Sequence, residues 1–227
     1  MSGRLAALLV AAALATAACT SSLATSTGHG GPTPSPSLAA DWTTMTDAAG
    51  GFSVGVPPGW VGARRDDATL TAILAAITAS HAELGAYLKS ELTGSGAPTV
   101  AAVVANPDTS ASHYVSSLAV TRLDAGPVAG APSLDTLVRQ KLANIDNEND
   151  VQQPVTKTAA SLPAGPAQKL AYTVNLAGQR QASVTVYLLT TTHGGHEVLY
   201  ELVLAHLAPD VDAATLETAA ATFRLRE

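Results

Sequence analysis

The chain has 227 residues, of which 47% are hydrophobic and 13% charged, with 12 Lys and Arg against 18 Asp and Glu for a formal net charge of −6. That is enough apolar material for one domain with a core of its own. Arg64-Arg65 is the single basic pair and Asp66-Asp67 follows it directly. Such a chain is ill suited to nucleic acid or to electrostatic docking on anionic lipid.

Met1 to Arg4 carries one positive charge, and Leu5 to Ala15 (LAALLVAAALA) is an unbroken apolar run. A basic start, a short apolar stretch and small residues after it describe a secretory signal. A membrane span needs roughly 20 apolar residues, so this run is too short to be one. Cys19 follows Thr16-Ala17-Ala18 and is the only cysteine in the chain. One cysteine makes no internal disulfide, so an exported thiol needs another explanation. Leu14, Thr16, Ala17, Ala18 and Cys19 resemble a bacterial lipoprotein signal, with Thr16 standing where a larger aliphatic is usual. The resemblance implies a signal peptide over residues 1–18, cut before Cys19, and acyl chains such as palmitate on that cysteine. Two or more chains hold a protein stably on a membrane, where one does not. The plainer alternative is an ordinary signal peptide whose last cysteine is lost or left free.

Residues 19–40 read as a flexible Ser/Thr/Gly/Pro tether. Thr20 to Leu38 (TSSLATSTGHGGPTPSPSL) holds no Asp, Glu, Lys or Arg. It lacks the apolar surface needed to order itself, and its PTPSPS part favours extended chain. His29 falls here as a linker residue.

The domain is expected over residues 41–227. Asp41–Thr46 and Phe52–Val56 read as two strands joined by a Gly-containing hairpin. A long helix is expected from Asp66 or Asp67 to about Leu92, with Leu70, Ile73, Leu74, Ile77, His81, Leu84 and Leu88 on one face and Gly94-Ser95-Gly96 as its stop. Thr99–Ala105 and Tyr114–Leu123 read as strands. A second helix starts at Pro132-Ser133 and aligns Leu134, Leu137, Val138, Leu142 and Ile145. Strands follow around Val155–Ala159, Gln168–Leu176, Gln181–Thr191 and Glu197–Leu207, with bends at Ala177–Gln179 and His193–His196. A last helix spans about Asp212–Ala221, and Phe223–Leu225 closes the chain. Helices beside a block of consecutive hairpins predict an α+β fold on a mainly antiparallel sheet.

Gly51-Phe52-Ser53-Val54-Gly55 has the Gly-x-Ser-x-Gly spacing of a nucleophile elbow. An elbow needs a strand, a sharp turn and then a helix starting just after the serine. Pro57 pushes Val56 out of the helical region, and Pro57-Pro58 withholds two backbone donors. Phe52, Val54 and Val56 alternate with smaller residues as a strand does. Ser53 therefore reads as structural. Trp60, set by the rigid Pro57-Pro58-Gly59 turn, is expected to pack against the long helix.

Trp42, Gly51, Phe52, Ser53, Val54, Val56, Pro57, Gly59 and Trp60, with Thr222-Phe223-Arg224 at the other end, resemble PsbP-like domains. Among these, the resemblance is in particular to the LpqN-type lipoproteins of actinobacterial cell envelopes. The resemblance covers about Trp42 to Arg226 and implies an α/β/α sandwich around an antiparallel sheet. It implies a binding or assembly factor rather than an enzyme, and it carries over no catalytic or ligand residue.

The remaining constellations read blandly. His193-Gly-Gly-His196-Glu197 offers zinc too few ligands and reads as a Gly-Gly hairpin turn. His81 and His206 read as core-edge residues. Asp146, Glu148 and Asp150 alternate like a calcium loop, but Val151 and Lys157 occupy the positions that want Gly and Glu, so a solvated helix end is expected. The expected protein is thus a lipid-anchored envelope factor on the extracytoplasmic face of the cell membrane, with no catalytic, metal or cofactor site. Its partners would be the membrane, through Cys19, and an envelope protein or lipid-like apolar ligand, with no nucleic acid. The alternatives are an envelope hydrolase with an unrecognised site and a structural envelope component.

Overall fold

A computed structural model describes residues 41–68, 70–93, 100–112, 114–176, 180–207 and 212–226. Cys19, the leader, the tether with His29, the Gly94–Gly96 stop and the Ala177–Gln179 bend lie outside them. Among the described residues ten strands form two sheets. The smaller holds β1 (Thr43–Asp47), β2 (Phe52–Val56) and β10 (Arg224–Leu225), with β2 in the middle. The larger holds β3 (Val61–Arg64), β4 (Val100–Ala105), β5 (Ser117–Pro127), β6 (Val151–Leu162), β7 (Gly165–Leu176), β8 (Arg180–His193) and β9 (His196–Leu207). Its spatial order is β3-β4-β5-β9-β8-β7-β6, and every pairing is antiparallel. The fold is α+β around a mainly antiparallel sheet, as expected.

Alternation along each strand sends successive side chains to opposite faces. Val103 and Ala105 of β4, and Ala119 of β5, face a cluster built by helices α1 (Leu70–Ser80) and α2 (Ala82–Thr93). On the same face Leu170, Val174, Val184 and Val186 pack under α3 (Leu134–Asp146). The opposite face carries Ala102, Val104, Leu118, Tyr200 and Leu202, covered by the small sheet and by α4 (Ala213–Ala221). Helices therefore lie on both faces, but the small sheet shares the second face with α4.

The two ends of the domain meet in that second layer. Arg224 and Leu225 pair with Ser53 and Phe52. Phe223 stacks on Phe52 at 5.5 Å and on Tyr200 at 5.6 Å between ring centroids. The Tyr200 hydroxyl donates to the Gly50 carbonyl at 2.6 Å, and Gly55 N–H donates to Thr222 Oγ1 at 2.6 Å. The residues behind the PsbP-like resemblance at either end of the chain are thus neighbours in space.

The long helix expected to Leu92 is instead two helices broken at His81. Thr78 and Ser80 hydroxyls donate back to the Leu74 and Ala76 carbonyls, at 2.6 and 3.2 Å. Such side chains offer the backbone an alternative to helix continuation. Gly85 N–H then bonds the His81 carbonyl at 2.9 Å to open α2. The two helices fold back closely, for a Cβ on Gly85 would stand 2.1 Å from Thr78 Oγ1. Folding back lets Leu70, Leu74 and Ile77 of α1 and Leu84, Leu88 and Leu92 of α2 share one core.

Trp60 does not pack on α1. It is half-buried against the opposite core, beside Trp42 and Met45. The reason is parity: Val61 and Ala63 of β3 face the helices, so Trp60, one residue earlier, points to the other side. The sequence reading also missed β3 itself, a four-residue strand without a regular apolar pattern.

Candidate functional site

Several residues singled out in the sequence have structural places. Ser53 is a buried interior residue of β2, paired with Thr46 on one side and Arg224 on the other. The chain leaves β2 through the Pro57–Trp60 turn into β3, so no helix follows the serine along the chain. His193 and His196 flank a turn in which Gly194 and Gly195 have φ of 58° and 82°, the doubly left-handed turn that favours glycine. Both histidines are exposed. His196 Nδ1 lies 2.9 Å from the Asp124 carboxylate, whose pKa is lowered first by the Gly126 N–H and then by His196. Among the described residues no three His, Cys, Asp or Glu side chains converge as metal ligands. His81 stands at the helix break and His206 is buried on β9. The acidic run after α3 divides. Asp146 and Asp150 are exposed, but Glu148 is half-buried and burial raises its carboxyl pKa, so it is not a plain solvated helix end.

Glu148 belongs to a place where buried polar groups gather. The helical layer is in two units: α1 and α2 pack on β3 and β4, and α3 packs on β8 and β6. The strip of sheet between them is floored by β9 and β5. Register sets its contents. Tyr172, Val184, Ala205 and Ser117 are successive cross-strand neighbours from β7 to β5, and Leu170, Val186, Val203 and Ala119 form the next row. Glu201 lies one row further, between Leu188 and Thr121. Val203 and Ala205 remain half-exposed, so the floor is a shallow trough lined by small apolar side chains.

Three of the chain's five tyrosines line it. Tyr87 of α2 shares a 2.8 Å hydrogen bond with Ser117. Tyr114, just before β5, lies near enough to both Tyr87 and Tyr172 to bear on their ionisation. Burial drives all three phenols upward, Tyr114 to about 12 and the others further, so all are neutral donors at any physiological pH. At Tyr172 burial acts first, and the nearby charges of Glu148 and Glu201 reinforce the shift.

At the α3 wall, Lys141 Nζ donates to Glu201 Oε2 at 2.8 Å, with side chains 5% and 11% exposed. An ammonium has three protons to donate, and among the described residues this is the one hydrogen bond that Lys141 makes. Tyr172 is 6% exposed. Nearly all buried polar groups in native proteins are satisfied; among the described residues the buried side-chain atoms without a partner are Arg122 Nε and Gln140 Oε1.

Apart from Glu148, none of these residues was selected from the sequence. Two signals were there: Lys141 shares the apolar stripe of α3 with Val138, Leu142 and Ile145, and Glu201 interrupts the run Leu199 to Leu204. A charge at a core position of each of two elements marks a buried pair. The tyrosines carried no such signal, since aromatic residues at those spacings fit a core equally well.

No family model matches the chain, and no curated protein matches it. Solved structures of similar outline include CyanoP, the PsbP of Synechocystis sp. PCC 6803, at 17% identity and a TM-score of 0.43, covering 87% of this chain and 98% of that one. LpqN of Mycobacterium tuberculosis, described as involved in cell envelope biogenesis, has 14% identity and a TM-score of 0.43, over 56% of this chain and 72% of its own. The Ran-binding protein Mog1p of Saccharomyces cerevisiae has 10% identity and a TM-score of 0.42, over 81% and 95%. A PsbP and an LpqN are thus among the likenesses, at scores too low to assign the chain to either family.

Proposed function

We propose that this chain is an exported cell-envelope lipoprotein, held at the outer face of the cell membrane by acylated Cys19. Its domain acts as a non-catalytic binding or assembly factor for a partner protein or a ligand. The observation that carries the reading is the chain's single cysteine, set directly after Ala17-Ala18 and an apolar run, and followed by a tether without Asp, Glu, Lys or Arg. The binding role is supported by the strip of sheet between α2 and α3, where the helices leave Val203 and Ala205 partly exposed near the buried Lys141–Glu201 pair. The hydrolase alternative has lost its motif, because Ser53 sits inside a strand and not on a strand-to-helix turn.

Phase partitioning with a clouding detergent tests the anchor. The parent should enter the detergent phase and take up a clickable palmitate analogue, and Cys19→Ala should do neither. An unlabelled parent, or a Cys19→Ala variant that still partitions with detergent, would refute the anchor.

A further inference from the structure

We infer that the tip formed by Trp42, Trp60 and the Pro57–Gly59 turn docks on the lipid bilayer at the level of the headgroups, and so sets how the domain stands on the membrane. The inference rests on reading Cys19 as the acylated anchor, and it adds a second, non-covalent contact to that one. Both of the chain's tryptophans are here. β1 opens with Thr43 opposite Val56, which puts Trp42 beside Pro57. The Trp60 N–H closes the turn on the Pro57 carbonyl at 3.1 Å. Both rings are half-buried and pack, with Met45, on one core. Met45 lies over Gly62, where an added Cβ would stand 3.1 Å from its sulfur and 3.1 Å from Val56. Packing therefore holds the rings in place. The turn itself projects: Pro58 and Gly59 are exposed, and a Cβ on Gly59 would meet nothing within 4 Å.

The charges around the tip suit a bilayer interface without electrostatic attraction. No Lys, Arg, Asp or Glu occurs from Trp42 to Thr46 or from Ala48 to Ala63. Asp47, between the two runs, is buried and accepts from Gly50 N–H at 2.6 Å. Arg64, the next cation along the chain, is taken up by Asp67 and by the Thr46 carbonyl. The flanking acids are Asp41, exposed just before Trp42, and Asp108, exposed three residues past the Ala105 that pairs with Val61. Contact must then come from the rings. Tryptophan joins a large apolar surface to one N–H donor, and such side chains collect where hydrocarbon meets water.

The bilayer is the occupant because of where the anchored chain arrives. Residues 19–40 run from Cys19 to the residue before Asp41, next to Trp42. A chain of about 20 residues of that composition spans about 25 Å on average. The tip is thus the part of the domain nearest the anchor along the chain, and it meets the surface at an effective concentration of roughly millimolar. A contact too weak to recruit a free protein is enough to orient a tethered one.

Trp42 and Trp60 are the only tryptophans, so red-edge excitation reads this tip and nothing else. The acylated protein in phosphatidylcholine vesicles is compared with the same protein in vesicles whose acyl chains are brominated near the headgroup, a contact quencher of indole. Bromine should remove most of the emission. Trp42→Phe and Trp60→Phe leave one tryptophan each, and the remaining ring should be quenched in both. High salt should leave the quenching in place, since no charge holds the contact. Pro58→Asp puts a charge on the exposed turn and should restore most of the emission. Unquenched emission from protein that floats with the vesicles would overturn the docking and leave the anchor standing. Emission shielded from acrylamide yet untouched by bromine would overturn it too, and would assign the tip to a protein partner. Quenching that high salt abolishes would show an electrostatic contact instead of this one. If Cys19 proves unacylated, its thiol, single in the chain, is coupled to a maleimide-bearing lipid and the comparison repeated, so that the docking is judged apart from the anchor.

Discussion

Replacing Lys141 with Met removes a positive charge and keeps most of the side-chain volume. Lys141 is 5% exposed and its partner Glu201 11%, joined at 2.8 Å. The variant leaves the Glu201 carboxylate in the sheet interior, flanked by Leu188 and Thr121, without its ammonium. Orphaning one member of a buried ion pair costs about 3–5 kcal/mol, against a total stability of about 5–15 kcal/mol for a typical domain. A domain of this size loses about 2–4 °C in melting temperature per kcal/mol. Multiplying the two ranges predicts a drop of roughly 6–20 °C. The double variant Lys141→Met/Glu201→Leu removes both charges and should recover the parent's stability or exceed it by about 1–4 kcal/mol, because two charges are no longer taken out of water. Circular-dichroism melts of parent, single and double variants measure both effects. A single variant that melts within about 2 °C of the parent, well short of the drop just derived, would refute the buried pair. So would a double variant less stable than the single one.

Phe223→Ala should destabilise the domain by about 3–5 kcal/mol, since Phe223 is fully buried and stacks on both Phe52 and Tyr200. A denaturant midpoint equal to the parent's would show that the two chain ends do not hold one another. Gly85→Ala raises helix propensity by about 1 kcal/mol, yet its new Cβ would meet Thr78 Oγ1 at 2.1 Å and the Thr78 Cα at 2.8 Å. Overpacking costs about 1–3 kcal/mol, so urea melts should show net destabilisation. A stabilised variant would mean that α1 and α2 are not in close contact.

Local chemistry and strand periodicity were enough for the element types. The alternation of Phe52, Val54 and Val56, the Gly194-Gly195 turn and the hairpin block from Gln168 to Leu207 all stand where their patterns put them. The prolines after Val56 were sufficient to deny Ser53 an elbow, because a missing N–H and a fixed φ act within one or two residues of the proline. Non-local partners were beyond such reasoning. One helical stripe from Leu70 to Leu88 serves a straight helix and a folded hairpin equally, and hydroxyl back-bonding with the close Gly85–Thr78 approach decided for the hairpin. Trp60 was expected on α1, yet strand parity beyond it sent the ring to the other core. The trough needed most of all to be seen in three dimensions. Tyr87, Tyr114, Lys141, Tyr172 and Glu201 come from α2, a loop, α3, β7 and β9. Sheet register and helix packing bring elements so far apart in the chain side by side, and neither can be read from local sequence.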